Sequence, residues 1–220
     1  LVSKTKMTAE SDKDSFDLNK VSASLGESKT PDGQIILKHY IEGYRELIKL
    51  FAKFGKVFGF VISDIESKLK ILGQHLDGEN GKKYETVQSM IDFEVAENIT
   101  VSKTKLPSGS RTLLRLHRAL KFIILLLGKL TEIESDAYLS GPFCEAYRQS
   151  LAEFHTWIVR KMVEVALMTL STKSWMLQKI SPTLPEDEVV ARLKETVTIA
   201  QPIYDIIQDI YTEKDLHGLP

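Results

Sequence analysis

Three arginines recur at three- and four-residue steps within residues 108–130, SGSRTLLRLHRALKFIILLLGKL. Arg111, Arg115 and Arg118 are followed by an apolar run that starts at Phe122. In an α-helix these four residues share one stripe, which changes from cationic to apolar along the axis. The positive end of the helix dipole opposes arginines in a first turn, so both would favour an anion there. The segment predicts either an anion site or a solvated charged face.

Asp64 and Lys68 form a second candidate pair in the segment SDIESKLK, directly after the aromatic run FAKFGKVFGF. The two side chains lie one helical turn apart, so they can either hold a ligand together or form an ordinary ion pair. An exposed pair of this spacing stabilises a helix by only about 0.2 to 0.5 kcal/mol. Taken alone, the segment favours the ion pair.

The segment FHTWIVRK places His155 and Trp157 before two cations, Arg160 and Lys161. A single histidine on a helix is usually a hydrogen-bonded structural residue, and a tryptophan beside basic residues is usually half-buried surface. The alternative is a membrane anchor, because an amphipathic ring next to cations suits the surface of an anionic bilayer. Trp157, Arg160 and Lys161 are therefore the candidate docking residues.

Composition excludes several classes of protein. The chain has 29 Lys plus Arg against 30 Asp plus Glu, a net charge of -1, so a nucleic-acid partner is not expected. Its single cysteine, Cys144, predicts a reducing compartment, and we expect a cytoplasmic protein. No segment resembles a signal peptide or is apolar for the roughly 18 residues that a membrane-spanning helix needs.

Catalytic and metal-binding signatures are missing from the sequence. It contains no Gly-rich phosphate loop, no His-Glu-x-x-His and no Gly-x-Ser-x-Gly, and its histidines lack metal-ligand spacing. We therefore expect no enzyme, no catalytic residue, no metal and no cofactor. The five histidines are His39, His75, His117, His155 and His217.

Apolar residues at three- and four-residue steps predict an all-α fold. Residues 1–14 are polar and predict a disordered tail, and residues 15–220 predict one domain. The pattern between 35 and 76 predicts two helices, separated near Gly55 or Gly59. The serines before Arg111 can cap the helix that follows. About eight helices are expected, near residues 15–25, 35–76 (two helices), 84–99, 108–130, 143–154, 157–170 and 188–211.

Together, the three candidate segments resemble the glycolipid transfer protein family, and the resemblance runs from about Phe16 to Pro220. It implies a two-layer helical sandwich of about eight helices, with an apolar lipid pocket between the layers and no catalytic activity. The motifs that carry the resemblance are Asp64-Ile-Glu-Ser-Lys68, Arg111-Thr-Leu-Leu-Arg115-Leu-His-Arg118-Ala-Leu and Phe154-His155-Thr-Trp157-Ile-Val.

Two positions separate branches of that family. Glycolipid-binding members carry an asparagine where this chain has Lys68, and a sugar-stacking tryptophan where it has Arg115. The resemblance to the phosphate-binding branch implies that Lys68, Arg111 and Arg115 hold a phosphate. It also implies that Asp64 accepts from a ceramide amide N–H and that His155 donates to the acyl carbonyl.

The roles of three further cationic residues are less well defined. Arg118 belongs to the motif without a ligand role, and a structural ion pair is the favoured interpretation for it. Lys103 and Lys105 could contact phosphate or an anionic membrane, but their loop matches the family too poorly to assign either role.

The resemblance implies a cytosolic carrier of ceramide-1-phosphate that associates transiently with anionic membranes, and we expect a monomer. The alternatives are transfer of another sphingolipid, or a lipid sensor whose bound lipid alters a protein partner. The candidate lining residues of the apolar pocket are Phe54, Phe58, Val61, Phe122, Leu126 and Val165, although ordinary core is the favoured interpretation of each one taken singly.

Overall fold

The computed structural model describes residues 16–101 and 106–220, which form nine α-helices and no β-strand. The all-α prediction is confirmed, while the proposed tail at 1–14 lies outside the described residues. In chain order the helices are α1 (Leu18–Ser28), α2 (Leu37–Phe54), α3 (Gly59–Leu76), α4 (Val87–Ala96), α5 (Gly109–Glu132), α6 (Ser140–Ser150), α7 (Trp157–Met168), α8 (Lys173–Ile180) and α9 (Glu186–Glu213).

Helix boundaries follow from side chains that satisfy free backbone groups. The Ser108 hydroxyl accepts from the backbone N–H of Arg111 over 3.1 Å, so a serine caps α5 as predicted. Thr156 caps α7 in the same way. The break between α2 and α3 lies at Gly55, whose φ of 115° is unfavourable for any residue with a Cβ.

The ninth helix, α8, was not predicted. It has only eight residues, too few for the apolar repeat to stand out. Its local signal is Thr172, whose hydroxyl accepts from the backbone N–H of Trp175 over 3.4 Å. The prediction of about eight helices is confirmed, and α8 is the one short helix that it did not include.

The arginine-bearing helix α5 lies at the centre of the packing and contacts α3, α4, α6 and α9. Because neighbours surround it, its apolar run belongs to the protein core, and Phe122, Ile123, Leu126 and Leu127 are all buried. None of the helices in the described ranges is long and apolar enough to cross a membrane.

Five of the six proposed lining residues face the interior. Phe54 and Phe58 pack edge to face, with ring centroids 5.4 Å apart, and Phe122 and Leu126 are also buried. Val61 is half-buried against the same core. The sixth, Val165, is 59% exposed, so its assignment to the interior is wrong: it lies on the solvent side of α7.

Candidate functional site

Asp64 and Lys68 lie on α3 and form the predicted i,i+4 ion pair, with 2.6 Å between Lys68 Nζ and Asp64 Oδ1. The Lys68 side chain is only 14% exposed, whereas that of Asp64 is 68% exposed. The ammonium group is therefore held against the protein by a carboxylate that stays open to solvent. Asp64 can still accept a hydrogen bond from a ligand, because an ionised carboxylate has about four lone-pair sites.

Arg111 lies in the first turn of α5 and contacts the far end of the chain. Its Nε–H donates to the backbone carbonyl of Pro220 over 2.6 Å. Leu219 anchors that terminal segment, since its side chain is 9% exposed and packs against the core. The carbonyl orients the guanidinium through Nε alone, which leaves the two terminal amino groups for an anion.

Arg115 lies one turn further along α5 and is exposed. Partial burial and the positive charge of Arg111 lower the pKa of Arg115, and the Asp64 carboxylate acts in the opposite direction. The repulsion between the two arginines is thus only partly relieved by one carboxylate. A bound anion would relieve the remainder.

His155 lies between the short 3-10 turn Ala152–Phe154 and α7, and its Nδ1 is 2.7 Å from the hydroxyl of Tyr147. Burial lowers the pKa of His155, the Asp64 charge raises it and the Lys68 charge lowers it. These effects make the imidazole neutral near physiological pH. The two charges belong to the ion pair on α3, so His155 is close enough to that pair to interact with it electrostatically.

These electrostatic couplings link all five predicted head-group residues across α3, α5 and the start of α7. Three cations, Lys68, Arg111 and Arg115, share the region with the single carboxylate of Asp64. Planar guanidinium groups can bind phosphate in a bidentate manner, and an ammonium group adds a point charge. The carboxylate and the neutral imidazole of His155 add an acceptor and a donor that suit a secondary amide.

Arg118 has a different environment from the other two arginines. Its Nη2 donates to the backbone carbonyl of His217 over 2.7 Å, and its guanidinium lies 3.9 Å from the centroid of the Phe154 ring. The structural role proposed for Arg118 agrees with these contacts. Its form differs, because a carbonyl and an aromatic face take the place of the expected ion-pair partner.

Replacing Arg118 with glutamine is expected to lower the free energy of unfolding by about 1 to 2 kcal/mol, because it removes a charged hydrogen bond and a cation–π contact. The lipid transfer that the family resemblance implies should stay within about twofold of the unsubstituted protein. Urea denaturation and a vesicle transfer assay measure the two effects. A large loss of transfer at unchanged stability would instead give Arg118 a ligand role.

The candidate docking residues lie on an exposed face of α7, and the unassigned Lys103 and Lys105 fall outside the described residues. Trp157 is 66% exposed. The Lys161 ammonium pairs with Glu164 over 3.0 Å, whereas Arg160 is exposed and makes no ion pair within the described part of the chain. Of the two predicted cations, Arg160 is therefore the one that is not already neutralised.

Sequence reasoning missed a wider apolar area around Trp157. Six exposed hydrophobic side chains are distributed from the turn before α7 to the end of that helix, and we refer to them as the α7 apolar surface. They are Phe154, Trp157, Ile158, Met162, Val165 and Met168. Exposed clusters of this kind commonly mark sites of contact with a protein or a membrane.

Sequence reasoning also missed Glu94, a fully buried carboxylate on α4. It accepts hydrogen bonds from the backbone N–H groups of Gly109 and Ser110, over 2.6 and 2.8 Å, and from the hydroxyl of Tyr84 over 2.9 Å. It therefore holds the start of the helix that carries Arg111. A signal was present, since Glu94 occupies the position seven residues after Val87 on the apolar stripe of α4.

The sequence matches a known family and known proteins over most of its length. The family model described as "Glycolipid transfer protein (GLTP)" matches residues 35–182. The chain is 38% identical over 192 residues to the ceramide-1-phosphate transfer protein of Xenopus laevis, covering 86% of this chain and 89% of that protein.

Two solved structures extend the comparison. The crystal structure of the mouse ceramide-1-phosphate transfer protein in its apo form matches with a TM-score of 0.87 and 34% identity, covering 93% of this chain and 100% of that one. The human protein in complex with 12:0 ceramide-1-phosphate matches with a TM-score of 0.86 and 32% identity, over the same shares of the two chains. These matches confirm the predicted two-layer helical fold. The chain belongs to the glycolipid transfer protein family.

Proposed function

We propose that this protein binds ceramide-1-phosphate and carries it between membranes without changing it chemically. The observation that carries the proposal is the cluster of Lys68, Arg111 and Arg115 beside Asp64 and His155. The relatives named ceramide-1-phosphate transfer protein support the same ligand.

The phosphate is the group that the three cations recognise in this proposal. A phosphomonoester carries about -1.5 to -2 charge near neutral pH, which three cations and one carboxylate can balance. Arg115 and Arg111 take the phosphate oxygens, and Lys68 turns from Asp64 toward them. The anion then removes the repulsion that persists between the two arginines.

The amide of the ceramide distinguishes it from a glycerolipid. Asp64 accepts from the amide N–H, and His155 donates to the acyl carbonyl. An ester has a carbonyl but no N–H, so a glycerolipid leaves one hydrogen-bonding site of the carboxylate without its partner. The bound lipid covers Asp64, which is open to solvent in the free protein, and a group left unsatisfied beneath it costs about 1 to 3 kcal/mol.

The acyl chains contribute affinity and little selectivity. At about 0.8 kcal/mol for each buried CH2, a chain of roughly sixteen carbons is worth around 12 kcal/mol, similar to what a bilayer offers. The chains enter between the helical layers, beside Phe54, Phe58 and Phe122. Since these rings already pack in the core, the chains displace them to make room.

In this proposal the protein docks on a membrane through the α7 apolar surface. Its first residues, Phe154 and Trp157, lie on either side of His155 in the chain, so the head-group site adjoins the docking face. Arg160 supplies a cation for anionic lipid. A small face of this kind gives weak, reversible docking, which a carrier needs in order to leave the membrane.

Trp157→Ala is expected to lower the rate of transfer between vesicles by about tenfold, while lipid binding in solution stays unchanged. The loss follows from removing the largest apolar group of the docking face. Sedimentation with anionic vesicles measures docking, and a fluorescent-lipid assay measures transfer. Tyr138→Ala is the matched control, because Tyr138 is 68% exposed outside the α7 apolar surface. Equal losses in both variants would contradict the assignment.

A head-group series tests the proposed function. Donor vesicles carry fluorescent ceramide-1-phosphate, phosphatidic acid or galactosylceramide, and we expect transfer to be fastest for ceramide-1-phosphate. Faster movement of galactosylceramide would refute the proposed ligand. Retention of lipid without transfer would indicate a sensor, and release of inorganic phosphate would indicate an enzyme.

A further inference from the structure

Tyr147 is a buried phenol beside the head-group site. It lies on α6, has no exposed surface, and packs edge to face against Phe122 with the ring centroids 5.9 Å apart. Its hydroxyl oxygen is 2.7 Å from Nδ1 of His155, and it has no other hydrogen-bond partner in the described part of the chain. The contact therefore joins the core of the protein to a residue that is proposed to touch the ligand.

The direction of this hydrogen bond follows from burial. A buried O–H that donates to nothing is costly, and Nδ1 of His155 is the acceptor within reach. Burial raises the pKa of Tyr147 to about 12, which keeps it a phenol, and burial lowers the pKa of His155, which keeps it neutral. Nδ1 is therefore the unprotonated nitrogen, and the single ring proton is on Nε2.

We propose that Tyr147 is a positioning residue that fixes His155 as an Nε2–H donor for the carbonyl of an amide-linked acyl chain. This inference rests on the proposed function and adds a specificity-determining residue to it. In the other tautomer, Nε2 would present a lone pair to the carbonyl oxygen, and the two acceptors would repel each other. The Nε2 nitrogen has no partner of its own among the described residues, so it is available to a ligand.

Tyr147 also sets which side of the amide each protein group meets. With Nδ1 occupied by Tyr147 and the proton on Nε2, His155 can only donate to the ligand, and the ionised Asp64 can only accept from it. An amide then binds in one orientation, with its N–H toward the carboxylate and its carbonyl toward the imidazole. Because the tautomer is fixed before the ligand binds, the binding free energy does not include the cost of changing it.

The first test measures the tautomer in the ligand-free protein. Long-range 1H–15N correlation spectra above the pKa of His155 identify which ring nitrogen carries the proton, and the His155→Ala spectrum assigns the signals. We expect Nε2–H in the unsubstituted protein, and a mixture with Nδ1–H in Tyr147→Phe. Tyr204→Phe, which removes a hydroxyl that donates to Gln208 over 3.2 Å, should leave the tautomer unchanged. Nδ1–H in the unsubstituted protein, or an identical tautomer in Tyr147→Phe, would overturn the proposal.

The second test is a double-mutant cycle on ceramide-1-phosphate transfer. Tyr147→Phe should lower transfer by about two- to tenfold, the worth of one net hydrogen bond. In a His155→Ala background the same substitution should cause no further loss, because its effect passes through the imidazole. Equal losses in both backgrounds would show an effect of packing alone and overturn the proposal. If the unsubstituted protein moves no ceramide-1-phosphate, the proposed function fails while the tautomer measurement still decides the role of Tyr147.

Discussion

Replacing Arg115 with leucine is expected to reduce transfer of ceramide-1-phosphate by about a hundredfold or more and to leave the helical fold intact. A guanidinium that binds phosphate in a bidentate manner makes two charged hydrogen bonds, each worth about 1.5 to 3 kcal/mol. Both are lost in the leucine variant. Arg111 lies one turn away, and its guanidinium cannot replace the two hydrogen bonds that Arg115 makes to the phosphate.

The fold should tolerate this change because Arg115 is exposed and is repelled by Arg111. Leucine is about as good a helix former as arginine, so we expect the free energy of unfolding to stay within about 0.5 kcal/mol. Urea denaturation monitored by circular dichroism measures this. Arg115→Lys keeps the charge without the planar fork and should retain part of the activity.

Arg192→Leu is the matched control for the loss of an arginine. Arg192 lies on α9, where it pairs with Glu188 one turn earlier and takes no part in the head-group site. Its replacement should leave transfer unchanged. If Arg115→Leu transfers lipid as fast as Arg192→Leu does, the assignment of Arg115 to the phosphate is wrong.

Local signals made much of the fold predictable. These signals are the serine before α5, the glycine between α2 and α3, and the apolar repeats. Each one affects the backbone only within a few residues, so it can be identified from the sequence alone. The five head-group residues were predicted by motif, and the structure places them within electrostatic reach of one another. Their roles toward a ligand remain predictions, which the variants above test.

The features that escaped prediction depend on long-range contacts. The partner of Arg118 is a carbonyl 99 residues later in the chain, so no local pattern could identify it. Val165 was placed in the interior because helical periodicity detects an apolar face without showing what covers it. A charged residue such as Glu94 normally indicates a solvated surface, and only its place on an apolar stripe distinguishes it.

Glu94→Ala is expected to produce the largest loss of stability, about 3 to 5 kcal/mol, which corresponds to a fall of roughly 10 °C in Tm. The substitution leaves three buried donors without their acceptor: the backbone N–H groups of Gly109 and Ser110, and the hydroxyl of Tyr84. It also removes a negative charge from the positive end of the α5 dipole. Urea denaturation and thermal melting measure the loss.

Close packing explains why α5 cannot simply adjust to the missing carboxylate. A side chain added at Gly109 would collide with the Met90 sulfur, so α4 and α5 already approach each other closely there. Glu97→Ala is the matched control, because Glu97 is exposed at the end of the same helix. Equal unfolding midpoints for the two variants would contradict the role of Glu94. Arg111 lies two residues after Gly109, so a shift at the start of α5 would also move Arg111. Lipid transfer by Glu94→Ala should therefore fall even at temperatures where the variant stays folded.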